Sequence, residues 1–299
     1  MRDVGESSPA PICNVCGSSK LALYHDQGYR RLLRCRSCKL LFADPLPSRE
    51  EKHEIEHLAY EGDLLPEVAD FFRNCHRNFE EDAVIRGFRH ALAWISEHRA
   101  AGEMLDVGPG TGIFLHLAGR DFGWRGRGID VCAASARKAA EEFAVEVDVG
   151  DFETFDYSSR RFDSITMLDV LEHTVDPMSF LRRAYELLAP GGVLYVAVPN
   201  QRCLLTVVLD RYIQLGGPGG EWFMDRLYVR PHVYYFNPQV LARALVAAGF
   251  EIAGLTGGNV YLGRYRLSPW MRVPMELVLR AGSLIGMSAK VHALARKPR

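Results

Sequence analysis

The segment Asp106-Val107-Gly108-Pro109-Gly110-Thr111-Gly112 sets a carboxylate two residues ahead of three alternate glycines, between an apolar strand pattern and an apolar helix pattern. Glycines at these positions allow a tight strand-to-helix turn and let a ligand approach backbone that no side chain screens. A dinucleotide loop spaces its glycines G-x-G-x-x-G to seat a pyrophosphate on the helix N-terminus, whereas the spacing here is G-x-G-x-G. The carboxylate suits a cationic ligand better than a pyrophosphate. Three more acids, Asp130, Asp151 and Asp169, follow apolar runs in the same way. After a second strand, a carboxylate can accept both hydroxyls of a ribose. One after the third could accept an adenine amino group. A single aspartate of this kind is an ordinary turn or cap residue, but four at successive strand ends beside a glycine loop point to a nucleotide-like ligand.

Four of the seven cysteines form Cys13-Asn14-Val15-Cys16 and Cys35-Arg36-Ser37-Cys38. Two thiolates on one turn can face one ion, and two such turns close a tetrahedron with no position left for water, so the spacing predicts a structural zinc site. Cys75, Cys132 and Cys203 stand alone among helical or apolar neighbours and read as small buried hydrophobes. Two histidines are placed for proton transfer: His173, directly after Glu172, and His232, which opens His232-Val233-Tyr234-Tyr235-Phe236. Imidazole suits a general base because its pKa lies near working pH.

Charge narrows the range of partners. With 36 Lys+Arg against 37 Asp+Glu, the net charge of −1 leaves no chain-wide basic field for nucleic acid. Locally, residues 13–42 hold Lys20, Arg30, Arg31, Arg34, Arg36 and Lys39 against only Asp26, which keeps an RNA substrate as the alternative. No apolar run approaches the ~18 residues needed to span a bilayer, and the first residues have no signal-peptide pattern. A cytoplasmic protein is expected.

The elements that must position these residues follow from periodicity. At 299 residues, 48% of them hydrophobic, the chain predicts roughly two domains. Residues 1–48 read as a zinc-binding ribbon module with a hairpin about Gly28, ended by Asp44-Pro45-Leu46-Pro47. Residues 49–100 read as a helical linker or lid, with apolar residues at helical intervals from Leu64 to His98. From 101 to 299, short apolar strands alternate with helices, which predicts an α/β doubly wound, mostly parallel sheet. Strands are expected at 104–107, 126–130, 145–149, 162–168, 193–198, 251–255 and 290–297. One helix should be capped by Asp176, start at Pro177, include Leu187 and Leu188, and stop at Pro190-Gly191-Gly192; another should run from Pro238 to Ala248. The insertion at 200–236, rich in aromatics, reads as a lid. In the amphipathic segment 274–285, the face of Val273, Leu277, Ala281 and Leu284 should pack on its own domain. Membrane-surface or dimer contact through 270–287 is the alternative, so a monomer and a homodimer both remain open.

Together the loop at 106–112, Gly128-Ile129-Asp130, Gly150-Asp151-Phe152, Asp169-Val170-Leu171-Glu172-His173 and Leu188-Ala189-Pro190-Gly191-Gly192 resemble the class I S-adenosylmethionine-dependent methyltransferases. That resemblance implies a seven-stranded Rossmann-like sheet. It places Asp106, Gly108, Pro109, Gly110 and Gly112 around the methionine part of the cofactor, Asp130 and Val131 at the ribose, and Asp151 with Phe152 at the adenine. Leu168, Asp169 and the residues to His173 would line the methyl-transfer end. Pro109 departs from the small or cysteine residue usual there, removing a backbone donor while keeping the turn. Cys13, Cys16, Cys35 and Cys38, with Leu41-Phe42-Ala43-Asp44-Pro45 and Tyr60, resemble the zinc-ribbon start of bacterial methyltransferases of sugar, polysaccharide and secondary-metabolite pathways. The resemblance implies a small-molecule acceptor methylated at oxygen or carbon, with His173 or His232 as general base.

Overall fold

The computed structural model describes residues 11–61, 83–262 and 268–299, apart from the side chains of 56–61 and 221. Its N-terminal layer is a small antiparallel sheet. Leu21–Asp26 (β1) and Arg31–Cys35 (β2) pair across the expected hairpin, and Leu41–Asp44 (β3) pairs with β2. Gly28 turns the hairpin at φ +78 while its N–H reaches the Asp26 carboxylate at 2.8 Å. Ser48 and Glu51 then bond each other's backbone N–H at 3.1 and 2.9 Å, a reciprocal cap that starts the helix Arg49–Glu61 (α1).

The helix Ala83–His98 (α2) buries Ile85, Ala91, Leu92 and Ile95 at the helical spacing expected. The rest of the predicted helical stretch, with Phe72, Cys75 and Phe79, lies outside the described residues. Beyond α2 come Glu103–Val107 (β4), Ile113–Phe122 (α3), Arg125–Asp130 (β5), Ala133–Phe143 (α4), Glu146–Val149 (β6) and Phe162–Leu168 (β7). They are followed by Pro177–Leu187 (α5), Leu188–Pro199 (β8), Leu204–Gln214 (α6), Gly220–Leu227 (α7) and Tyr234–Tyr235 (β9). Pro238–Ala247 (α8), Glu251–Gly258 (β10), Pro269–Leu284 (α9) and Lys290–Arg296 (β11) complete the chain.

The large sheet has the order β10-β11-β8-β7-β4-β5-β6, with β4 to β8 parallel and β11 antiparallel to both its neighbours. Strand order reverses between β4 and β7, so the loops after those strands open a crevice at the carboxyl ends. Each predicted strand is present, with boundaries moved by a few residues.

Two expectations are corrected. The helix from Pro177 ends at Leu187, and Leu188 already pairs with Phe162 as the first residue of β8. Lys297 Nζ donates to the Tyr185 and Leu188 carbonyls at 2.7 and 2.8 Å, which satisfies the helix end before the Pro190-Gly191-Gly192 turn is reached. The second correction concerns α9, where Val273, Leu277 and Leu284 are exposed instead of packed. It buries Leu279 and Gly282, because Gly282 lets α6 approach closely: a Cβ there would lie 3.0 Å from Leu204 Cβ and 2.6 Å from the Met287 carbonyl oxygen. Among the described residues no helix is long and apolar enough to cross a membrane.

The two sheets share one core. Tyr234–Tyr235 of the insertion pairs antiparallel with Leu41 and Phe42, so β9 becomes the fourth strand of the N-terminal sheet. One buried cluster runs from Cys13, Leu32 and Phe42 through Tyr234 and Phe236 to Ile165 and Val196 in the large sheet.

Candidate active site

The glycine loop turns as its sequence requires, with Gly108, Gly110 and Gly112 at φ +66, +56 and +80. Pro109 packs over Gly128 on β5, where any Cβ would come within 2.7 Å of the proline ring. Close packing of this kind brings the loop against the ends of β5 and β6. Asp130 ends β5 with its carboxylate oriented by the Cys132 N–H at 2.8 Å and the Ser135 hydroxyl at 2.9 Å. Asp151 follows β6, accepts the Glu153 N–H at 2.7 Å, and meets Arg49 of α1 at 3.1 Å. Gly108, Gly110, Asp130, Val131, Asp151 and Phe152 line one pocket of about 220 Å³. Glycine backbone, two oriented carboxylates and a buried aromatic are a donor and acceptor set that fits a nucleoside bearing a cationic chain.

Asp106 lies deeper and is fully buried, its carboxylate accepting the Thr166 hydroxyl at 2.5 Å. Burial pushes its pKa up to about 7, with the Asp130 charge adding to the rise and the Thr166 hydrogen bond opposing it. A cation arriving beside Asp106 would favour its ionised form.

A larger cleft of about 1450 Å³ adjoins this pocket, and Gly108, Asp169 and His173 line both. Leu168 joins its wall. Asp169 adopts φ +57 and is ion-paired with Lys290 on β11. At the cleft floor, Glu172, His173 and His232 come together with their ligating atoms within 4.8 Å of one another. The histidine rings meet edge to face at 4.7 Å, and His173 Nε2 stands 3.9 Å from Glu172 Oε1. Glu172 is buried with neither carboxylate oxygen in a hydrogen bond. Burial raises its pKa to about 7, eased by His173 and reinforced by Asp169. Such a trio can hold a proton and pass it between carboxylate and imidazole. Opposite it, Tyr195 and His292 bond at 2.7 Å, and burial lowers His292 to about 4, so it is neutral near pH 7.

The four thiols of Cys13, Cys16, Cys35 and Cys38 gather in the ribbon, all within 4.8 Å of one another. Cys13 and Cys38 sulfurs are 3.5 Å apart and Cys16 and Cys35 3.6 Å, too far for disulfides. A tetrahedral ion with bonds of about 2.3 Å to sulfur has edges of about 3.8 Å, so the set could hold one zinc. The hydrogen bond with Cys38, then burial, pushes Cys13 up, and the same bond pulls Cys38 down to about 5.

Every predicted site residue but Gly112 thus falls into one of three places, pocket, cleft or thiol cluster. Gly112 lines neither cavity and instead packs against Ala139 and Val145, where it starts α3. Sequence reasoning missed Arg49, Lys52 and His53, which reach the pocket from α1, because nothing in a charged helix start reveals what it faces. It also missed Lys290, which lies far along the chain from Asp169 and meets it only through the β8–β11 pairing. In the sequence Glu172 stands only as the neighbour of His173, and nothing there signals its burial.

A family model described as a methyltransferase domain matches residues 76–254. The chain is 29% identical over 187 residues to a ubiquinone biosynthesis O-methyltransferase of Azorhizobium caulinodans, covering 60% of this chain and 70% of that protein. It is 30% identical over 191 residues to the protein of the same name from Ralstonia nicotianae, covering 59% of this chain and 76% of that one. Among solved structures it is similar to the N-methyltransferase NodS of Bradyrhizobium japonicum WM9 in complex with S-adenosylhomocysteine. There the TM-score is 0.52 at 14% identity, covering 81% of this chain and 98% of that one, a likeness of fold alone.

Proposed function

Because the chain belongs to the methyltransferase-domain family, we propose that this S-adenosylmethionine-dependent methyltransferase methylates a small-molecule acceptor at oxygen or carbon, with oxygen preferred. The observation that carries the reading is the Glu172, His173 and His232 trio facing a large cleft that opens onto the glycine-loop pocket. When bound, the cofactor supplies an electrophilic methyl group on a sulfonium. The chain's part is alignment, exclusion of water and removal of a proton. In our reading Gly108 to Gly112 and Asp106 hold the methionine part, Asp130 with Val131 the ribose, and Asp151 with Phe152 the adenine. Leu168 and Asp169 bound the transfer end. His173 or His232 takes the acceptor's proton, and Glu172 stabilises the imidazolium that results. The Azorhizobium and Ralstonia relatives are named as O-methyltransferases, which favours oxygen over carbon.

We assign 1–48 to a zinc ribbon, 49–100 to a helical lid and 101–299 to the catalytic domain with its insertion at 200–236. Zinc is the ion that four thiols of this geometry prefer. The exposed apolar stripe of Trp270, Val273, Leu277 and Leu284 on α9 is the face we assign to a second copy or a lipid surface. An RNA acceptor is disfavoured by what the ribbon's cations do. Arg30 is buried and donates to loop carbonyls, and Arg31 pairs with Asp44, so two of the six cations are already engaged.

The test has two arms. Calorimetry should detect S-adenosylhomocysteine binding and no binding of NAD. Offered a metabolite extract and S-adenosylmethionine, the protein should yield a product heavier by one methyl group, on a compound and not on RNA. Tight cofactor binding with no methylated product from any extract would leave a cofactor sensor in place of an enzyme.

A further inference from the structure

Between Tyr228 and His232 the chain has no regular structure, yet its backbone is held at every carbonyl. Arg30 Nη2 donates to the Tyr228 and Val229 carbonyls, each at 2.9 Å, and Nη1 to those of Arg230 and His232 at 3.1 and 2.8 Å. Lys52 Nζ takes the remaining one, Pro231, at 2.8 Å. Both cations are buried, and neither belongs to the catalytic domain: Arg30 comes from the β1–β2 hairpin and Lys52 from α1. The guanidinium also donates to the Tyr235 hydroxyl at 3.0 Å, and Gln27 orients it at 2.7 Å. Irregular backbone beside a cleft is ordinarily a mobile region. This loop carries a histidine that has to meet another.

A second grip holds the loop of the other histidine. Asn14, between Cys13 and Cys16, donates to the Tyr234 hydroxyl at 2.7 Å and to the Val175 carbonyl at 3.5 Å, and Tyr234 donates to the same carbonyl at 2.8 Å. Ala43 N–H of the ribbon bonds the Val233 carbonyl at 2.8 Å, while Val233 N–H bonds the Glu172 carbonyl at 2.8 Å. A continuous ladder therefore runs from the ribbon through residue 233 to the Glu172-His173 turn.

We propose that Arg30 is a positioning residue, with Lys52 as its accessory, and that the N-terminal module sets the register of His232 against His173. It does so by fixing loop backbone, without touching the acceptor. The proposal rests on the reading of the two histidines as the acceptor-side pair, but its test does not require the acceptor. A guanidinium can satisfy several carbonyls in one plane, whereas an ammonium at the same site cannot span them. Arg30→Lys retains the charge and loses that reach.

The experiment compares wild type, Arg30→Lys, Arg30→Ala and Lys52→Met by amide hydrogen exchange, histidine ring NMR across pH, and S-adenosylhomocysteine calorimetry. In Arg30→Lys, amides in 228–234 should exchange at least about tenfold faster. The His232 titration should move, while cofactor affinity stays within about twofold of wild type. Lys52→Met should produce the same changes in exchange and His232 titration more weakly, which keeps the test open if Arg30→Ala does not fold. Cofactor affinity is the control for Arg30→Lys alone, since Lys52 also lines the cofactor pocket. Unchanged exchange and unchanged His232 titration in folded Arg30→Lys would overturn the proposal. So would loosening spread equally over 106–112 with loss of cofactor affinity, since that is what a merely structural arginine would give. Failure of the histidine pair as the acceptor side would appear separately, as intact turnover in His173→Ala and His232→Ala once an acceptor is known.

Discussion

Glu172 is buried without a hydrogen bond to either carboxylate oxygen, a placement that penalises its charged form. Its pKa rises to about 7 in the folded chain from an ordinary value near 4.5. Between those two values the unfolded chain releases a proton that the folded chain keeps, so this residue makes stability fall as pH rises from about 4.5 to about 7. Glu172→Gln removes that slope. Denaturant unfolding should show the glutamine variant gaining on wild type by on the order of 2 kcal/mol between pH 4.5 and pH 8. Activity should move in the opposite direction. If ionised Glu172 supports an imidazolium, wild-type turnover rises with pH through about 7, and the variant's profile loses that rise. His173 and His232 each stand out in the sequence by their placement, but that their rings meet has no signal there. Arg30 was misread: by composition it is one of six Lys and Arg residues in 13–42, and only the fold turns its charge inward.

At the scale of elements, alternation of strand and helix was readable because β4, β7, β8 and β11 carry apolar-rich runs between turn residues. The glycine loop is the clearest case, and Gly112 is its most constrained position. It begins α3 at φ +80, and a Cβ would lie 2.6 Å from Val145 Cγ2 and 2.9 Å from Ala139 Cβ on or beside α4. Gly112→Ala should therefore lower the free energy of unfolding by about 2–4 kcal/mol, from left-handed strain and overpacking together. Gly123 at the other end of the same helix is the control. It has φ +74 with nothing within 4 Å of its missing Cβ, so Gly123→Ala should cost only about 1 kcal/mol. Equal losses in the two variants would remove crowding by α4 from the account. What stayed hidden were elements too short to have a period. β9 is two residues long, and Tyr234-Tyr235 reads as part of an aromatic insertion until Leu41 and Phe42 pair with it. The exposed face of α9 was hidden for another reason, since a stripe of Val273, Leu277 and Leu284 has the same spacing whether or not a neighbour covers it.

For the whole molecule, that two-residue strand changes how the parts relate. Composition and proline signals set the ribbon apart as a module, yet its buried residues and those on one face of the large sheet form one continuous cluster. Leu40, Leu41 and Phe42 are buried together with Tyr234 and Phe236, so peeling the ribbon away would expose the edge of β9 and the aromatic wall behind it. Cohesion of this kind predicts cooperative melting. Binding of an ion to the folded thiol cluster stabilises whatever unfolds with that cluster. If ribbon and catalytic domain unfold together, a chelator or Cys38→Ser will shift one calorimetric transition to lower temperature as a whole, without splitting it. If they are independent, the same treatment will release an early transition and leave the main one in place. S-adenosylhomocysteine distinguishes the cases further, because its pocket lies on the large sheet and is touched from the N-terminal half through Arg49 and His53 of α1. In a single cooperative unit the ligand raises the melting temperature of the ribbon as well, visible as slower loss of thiol protection at Cys13 and Cys35, both fully buried. Thiol reactivity that ignores the ligand would show two bodies that merely touch, and the ribbon would then have to act on His232 by contact alone.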